Sequence, residues 1–185
     1  DKSVYNITFN SGYAYLACGF GIVVIDLDRK EIKDTYYIGS DGQSIPVYDI
    51  AFSQKNIYAA TAEGLKKAPV SGAFLNLAHV WVADTANIGD MYIDNLAMMD
   101  DRLFVAGYSV DPQQVTLFKL NDSGKFENWL QGHIVDFRHS GNYFIVAYSN
   151  KVEWYDSELR LVDSASEWIH GSLDVCDADV AANDG

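Results

Sequence analysis

The stretch VYNITF at residues 4–9 returns 43 residues later as VYDIAF at residues 47–52. The correspondence continues at the same offset: Tyr15 meets Tyr58, Ala17 meets Ala60 and Gly21 meets Gly64. A third copy, IDNLAM at 93–98 followed by RLFVAGYS at 102–109, runs parallel to a fourth, IVDFRH at 134–139 followed by NYFIVAYS at 142–149. The spacing drifts between about 39 and 46 residues. A period of about 40 to 45 residues is that of a unit of four short strands, which cannot bury both of its faces alone and must stack on neighbours.

Within each unit the apolar pattern is that of strands. Val4, Ile7 and Phe9 are followed after a short turn by the apolar run 13–18. The outer half of the unit reads as a hairpin: 22–27, a turn at Asp28-Arg29-Lys30, then 32–38. It recurs as 115–120, a turn at 121–124, and 126–130, and again as 152–155, a turn at 156–158, and 159–162. Asn, Asp, Ser and Gly fit these turns because they bond their own backbone or tolerate positive φ. The outer half of the second unit, 65–82, carries Pro69, Gly72 and an extra apolar stretch at Phe74-Leu75, so an edge strand or a longer loop is expected there.

The fold class implied is all-β, a β-propeller. Its repeats run approximately over 3–46, 47–92, 93–133 and 134–171, and a partial fifth unit over 172–185 begins with an inner strand at 172–176. Closed propellers have about four to eight blades. A strand left over after four complete units implies one propeller domain of which 1–185 is a part, in a ring of about seven blades.

Composition narrows the function. Aromatics make up 14% of the 185 residues against only three prolines, which suits a strand-rich folded domain and excludes disorder for most of the chain. A net charge of −13 repels phosphate backbones and argues against nucleic-acid binding. The longest aliphatic run, 22–25, is far shorter than the roughly 20 residues that cross a bilayer, so no membrane insertion of this segment is expected. Cys18 and Cys176 are too few for a disulfide framework and read as buried thiols.

No stretch has the spacing of a catalytic motif: there is no nucleophile elbow, no zinc-protease helix and no phosphate-cradling loop. His79, His133, His139 and His170 are scattered, and although His133 and His170 occupy comparable junctions, each is expected to bond a turn carbonyl. Asp174, Asp177, Asp179 and Asp184 crowd the last dozen residues without the spacing of a calcium loop, and Asp26 and Asp28 read as turn residues. Trp81, Trp129, Trp154 and Trp168 offer faces for sugars, but three of the four fall in predicted strands and are assigned to packing between blades. Lys66-Lys67 and Arg29-Lys30 with Lys33 read as a solvated edge that discourages strand addition. The reading is a non-enzymatic binding module with no catalytic, cofactor or metal residue and no ligand residue assigned.

The stretch 4–39, VYNITFNSGYAYLACGFGIVVIDLDRKEIKDTYYIG, together with VYDIAFSQKNIYAATAEGLKKA at 47–68, resembles the N-terminal propeller of PorZ-like proteins. These belong to the type IX secretion machinery of Bacteroidetes and are related in architecture to the periplasmic propellers of two-component regulators. The likeness is specific over about the first 70 residues and one of repeat pattern over the rest. It implies export and a place in the periplasm, outer membrane or cell surface of a Gram-negative bacterium. It also implies a scaffold whose partners are other secretion-system proteins or a lipopolysaccharide or glycan, with attachment of secreted cargo to anionic lipopolysaccharide. A glycan-sensing propeller of a hybrid regulator is the alternative. Contact with an anionic lipid calls for a basic surface, whereas this segment is acidic, so that contact lies in another domain or a local patch, or the task differs. The period-two pattern itself predicts a far-ultraviolet circular dichroism spectrum of β-structure, and a substantial helical component would refute the fold reading.

Overall fold

Each of four consecutive stretches folds into its own antiparallel four-stranded sheet in the computed structural model, which describes residues 1–71, 74–84, 88, 91–108 and 114–166. The first sheet holds β1 (Val4–Asn10), β2 (Tyr13–Cys18), β3 (Gly21–Asp26) and β4 (Glu31–Tyr36). The second holds β5 (Val47–Phe52), β6 (Asn56–Thr61), β7 (Gly64–Pro69) and β8 (Val82–Ala83). The third holds β9 (Tyr92–Met99), β10 (Arg102–Tyr108), β11 (Val115–Leu120) and β12 (Phe126–Gly132). The fourth holds β13 (Ile134–Ser140), β14 (Tyr143–Tyr148), β15 (Val152–Tyr155) and β16 (Leu161–Ala165). Two single turns of 3₁₀ helix, Ser40–Gly42 and Ala78–Val80, are the helical elements among the described residues. No helix there is long and apolar enough to cross a membrane.

The repeat therefore produces propeller blades, and the four sheets form an arc that is not closed. The partial fifth strand at 172–176 falls outside the described residues, as do Trp168, His170, Cys176 and the acidic tail. The second sheet carries the irregularity expected of it: β8 has only two residues, reached through a long excursion after Pro69 that contains one of the 3₁₀ turns. The last strand starts later than its hairpin pattern indicates. Leu159 takes φ 62° inside the turn and the strand begins at Leu161, because Asp156 accepts hydrogen bonds from the backbone of both Glu158 and Arg160 and lengthens the turn. Gly21 and Gly64 occupy the same place for different reasons. A side chain at Gly21 would meet the Tyr36 carbonyl oxygen at 2.3 Å, whereas Gly64 has open space but a φ of +88°.

The cores lie between blades. Tyr15, Ile22 and Val24 of the first blade meet Val47, Ile50, Ile57 and Ala59 of the second. Tyr58, Ala60 and Leu65 then meet Ile93, Leu96, Leu103 and Phe118 of the third. Between the third and fourth, Phe104 packs on Phe144 at 4.5 Å and on Trp129 at 5.2 Å, and Trp129 touches Tyr155 at 5.0 Å. Offset and edge-on rings of this kind add to the area they bury. Trp129 and Trp154 lie in strands, whereas Trp81 sits just before β8, buried with its indole N–H donated to the Leu75 carbonyl at 2.8 Å.

The first and fourth apolar residues of an inner strand face the preceding blade. Val47 and Ile50 are 0% and 3% exposed, while their counterparts Val4 and Ile7 in the first sheet are 49% and 48% exposed. Phe52 rests edge-on against Tyr15 at 4.7 Å, whereas its counterpart Phe9 is 69% exposed. The 185-residue segment is thus expected to self-associate through this face, and Phe9→Ser with Ile32→Lys to reduce association in sedimentation velocity. Phe104→Ala, in contrast, is expected to cost about 3–5 kcal/mol in denaturant unfolding. Equal effects of the two changes on stability would contradict this assignment of faces.

Candidate functional site

The innermost strands β1, β5, β9 and β13 stand side by side around a cavity of about 830 Å³, open to solvent, which is the channel of the arc. Each of these strands is bulged at the same place. Pairing skips between Val4 and Asn6, between Val47 and Asp49, between Ile134 and Asp136, and between Ile93 and Asn95. The unpaired residue, Tyr5, Tyr48, Asp94 or Val135, lines the channel together with the residue after it, Asn6, Asp49, Asn95 or Asp136.

These four polar residues link the blades. Asn6 donates its amide to Asp49 Oδ1 at 2.6 Å, and Asn95 donates its amide to Asp136 Oδ1 at 3.0 Å. The Leu96 N–H of the third blade donates to Asp49 Oδ2 at 2.7 Å, and the Ile50 N–H donates to Oδ1 at 2.7 Å. At Asp136 the second oxygen receives Arg138 Nε at 3.0 Å. The Thr8 hydroxyl adds a bond to the Ile50 carbonyl at 2.8 Å. Asp49 is 2% exposed. Burial drives its carboxyl upward against the pull of its three donors and the distant Arg138 guanidinium, to about 7.

Above this belt lies an arc of tyrosines. Ring centroids are 5.4 Å apart for Tyr5 and Tyr48, 5.3 Å for Tyr48 and Tyr92, and 5.9 Å for Tyr92 and Tyr108. The Tyr5 hydroxyl donates to Asp1 at 3.0 Å. Burial raises both Tyr108 and Asp94, and Asp94 Oδ1 is enclosed with no hydrogen-bond partner.

None of the residues singled out in the sequence builds this site except His139, which lines the channel. His79, His133 and His139 lie in a 3₁₀ turn, at a blade junction and in β13, and among the described residues none makes the turn-carbonyl bond expected of it. Asp26 does act as a turn residue, accepting from the Asp28 and Arg29 N–H groups at 3.1 and 3.0 Å. The Lys66-Lys67 edge is corrected. Lys66 is buried against Glu63 at 2.7 Å and Lys67 pairs with buried Asp84 at 3.1 Å, because β8 covers β7 from a distant point of the chain. Cys18 is buried, as read. The belt and the tyrosine arc escaped sequence reasoning, although the recurring polar residue within V-Y-[ND]-I was their signal.

Residues 1–82 match the family described as the type IX secretion PorZ N-terminal β-propeller domain. PorZ of Porphyromonas gingivalis, an essential bacterial surface component of the type IX secretion system, superposes with a TM-score of 0.69 at 17% identity. That match covers 90% of this chain and 21% of PorZ. The extracellular domain of the hybrid two-component system BT3049 of B. thetaiotaomicron gives 0.57 at 12% identity, over 86% of this chain and 23% of that one. The Pan2 WD40 domain of Neurospora crassa gives 0.57 at 11% identity, over 89% and 50%. The chain therefore spans less than a quarter of the two bacterial proteins. No curated protein matches it by sequence. The likeness to PorZ read from the N-terminal stretch stands, and so does the propeller fold.

Asp49 gives a pH dependence with a definite sign. Its folded value near 7 lies above the ordinary 3.8, so between about pH 4 and pH 7 the folded chain keeps a proton that the unfolded chain has released. Stability from this group is highest at the acid end, falls through that window and levels off above it. The stability of the native protein relative to Asp49→Asn, from urea melts, is expected to fall by on the order of 3 kcal/mol between those limits. A difference that does not change with pH would exclude titration of Asp49.

Proposed function

We propose that this segment is a non-catalytic binding and scaffold module of an exported protein of the type IX secretion machinery. It acts in the periplasm, at the outer membrane or on the cell surface, where it serves attachment of secreted cargo. The match of residues 1–82 to the PorZ propeller family carries this reading. The geometry supports it, because a belt of side-chain bonds between inner strands holds the blades at fixed spacing and presents a channel mouth of fixed shape. The blade repeats at approximately 3–46, 47–92, 93–133, 134–171 and 172–185 form part of one such propeller, in a ring of about seven blades.

A second reading, the glycan-sensing propeller of a hybrid two-component regulator, is favoured by the likeness to the BT3049 extracellular domain. One experiment separates them. In the bacterium that carries the gene, in-frame deletion of the propeller is expected to leave secreted cargo unattached or retained in the periplasm. Unchanged cargo delivery, with a lost transcriptional response of a glycan-utilisation locus, would establish the sensor in its place.

A further inference from the structure

We propose that the tyrosine arc, with Asp94, is a docking site for a basic segment of a partner polypeptide, which sets an arginine or lysine side chain over the rings. The inference rests on the binding-module reading and names the chemistry of its partner. At the position that the bulge leaves unpaired, the four inner strands carry Tyr5, Tyr48, Asp94 and Val135, so a single carboxylate stands in a row otherwise aromatic or apolar. Tyr5 and Tyr92 are 45% and 48% exposed, and Tyr48 and Tyr108 continue the succession of rings. Burial first, and the Asp94 charge next, hold the Tyr108 hydroxyl above its ordinary range, which puts the carboxylate beside that ring. Asp94 Oδ1 meets no hydrogen-bond donor among the described residues.

Three features select a cation. The face of an aromatic ring is negative and attracts an ammonium or, more often, a guanidinium group, whose flat fork also stacks on it. The Asp94 carboxylate adds to this attraction, because a cation seated over the adjoining rings stabilises its charge through the field. The wider lining agrees in sign: Asp49, Asp94 and Asp136 stand against Arg138, the one Lys or Arg among the described lining residues, which lies on Asp136 at 3.0 Å. An anion is repelled there, and the net charge of −13 draws basic segments toward the protein. Length then favours a polypeptide over a small amine. Four rings in succession outspan one cationic group, and apolar residues on either side of the basic one cover the remainder.

The intact protein that carries the propeller is titrated with dye-labelled extended peptides whose central arginine or lysine, flanked by apolar residues, is replaced in matched sets by glutamine or glutamate. Free arginine is run alongside. The arginine or lysine peptides are expected to bind, their glutamine counterparts about tenfold more weakly, and added salt is expected to weaken the basic ones. Tyr92→Ala and Asp94→Asn should each weaken binding about fivefold or more, while Tyr92→Phe, which keeps the ring, stays within about twofold. Melting curves check folding, and Tyr92→Ala, at an exposed position, decides the matter if Asp94→Asn unfolds. Equal binding of the glutamine peptides, preference for glutamate, free arginine bound as tightly as the peptides, no peptide bound, or full binding by Tyr92→Ala overturns the proposal. Cargo attachment after deletion of the propeller reads the scaffold role separately: attachment lost there, with no basic peptide bound by the native protein, sinks the cation site and leaves the scaffold standing.

Discussion

A single buried carboxylate, Asp49, ties three blades together, and the rest of the arc is arranged around it. It sits on β5, takes an amide from Asn6 on β1, and takes a backbone N–H from Leu96 on β9. Interblade packing alone is a contact between apolar faces, non-directional and tolerant of sliding. Hydrogen bonds across the inner edges remove that freedom, because a shift of one residue would strand a buried carboxylate or leave a backbone donor unmet. The order Asn6, Asp49, Asn95, Asp136 also has a chemical logic. Each amide donates to the carboxylate of the following blade, whereas two neighbouring carboxylates would repel.

The bulge makes this belt possible. In an unbroken strand the side chains two apart share a face, so Val4 and Ile7, three apart, would point to opposite faces. Skipping one residue restores them to the same face and turns the polar residue at the third position along the belt. The same skip leaves Tyr5 and Tyr48 unpaired, and both line the channel. One backbone irregularity therefore sets the face that packs, the residue that latches and the residue that is displayed.

This explains what was legible in the chain and what was not. The fold was open to reading, since strand periodicity and a repeat of about 43 residues specify blades without knowledge of any contact. The three-residue step from Val4 to Ile7 was on view in every copy, but it reads as a flaw in the alternation until the pairing partner is known. Lys66 was misread for a related reason. The strand that covers β7 is only Val82–Ala83 and lies beyond a long excursion, too short to leave a pattern. Trp129 was assigned correctly because a large aromatic in a strand of a stacked repeat has a neighbour on either side.

The two ends of the arc show how far each latch depends on the next blade. At Asp49 the second carboxylate oxygen is satisfied by a backbone donor from the following blade, Leu96 N–H. At Asp136, in the fourth blade, the same oxygen receives Arg138 from its own strand, so a side chain stands where a backbone group stands at Asp49, two blades earlier. At the other end Asn6 donates forward and still lies exposed, with Val4 and Ile7 beside it uncovered. The interactions are directional around the ring: each blade offers a side chain forward and receives apolar cover from behind. Stability in such an array is a sum over neighbours. A displayed residue such as Tyr92 stands outside this chain of dependence, which lets the rim vary in chemistry while the belt beneath it holds the geometry.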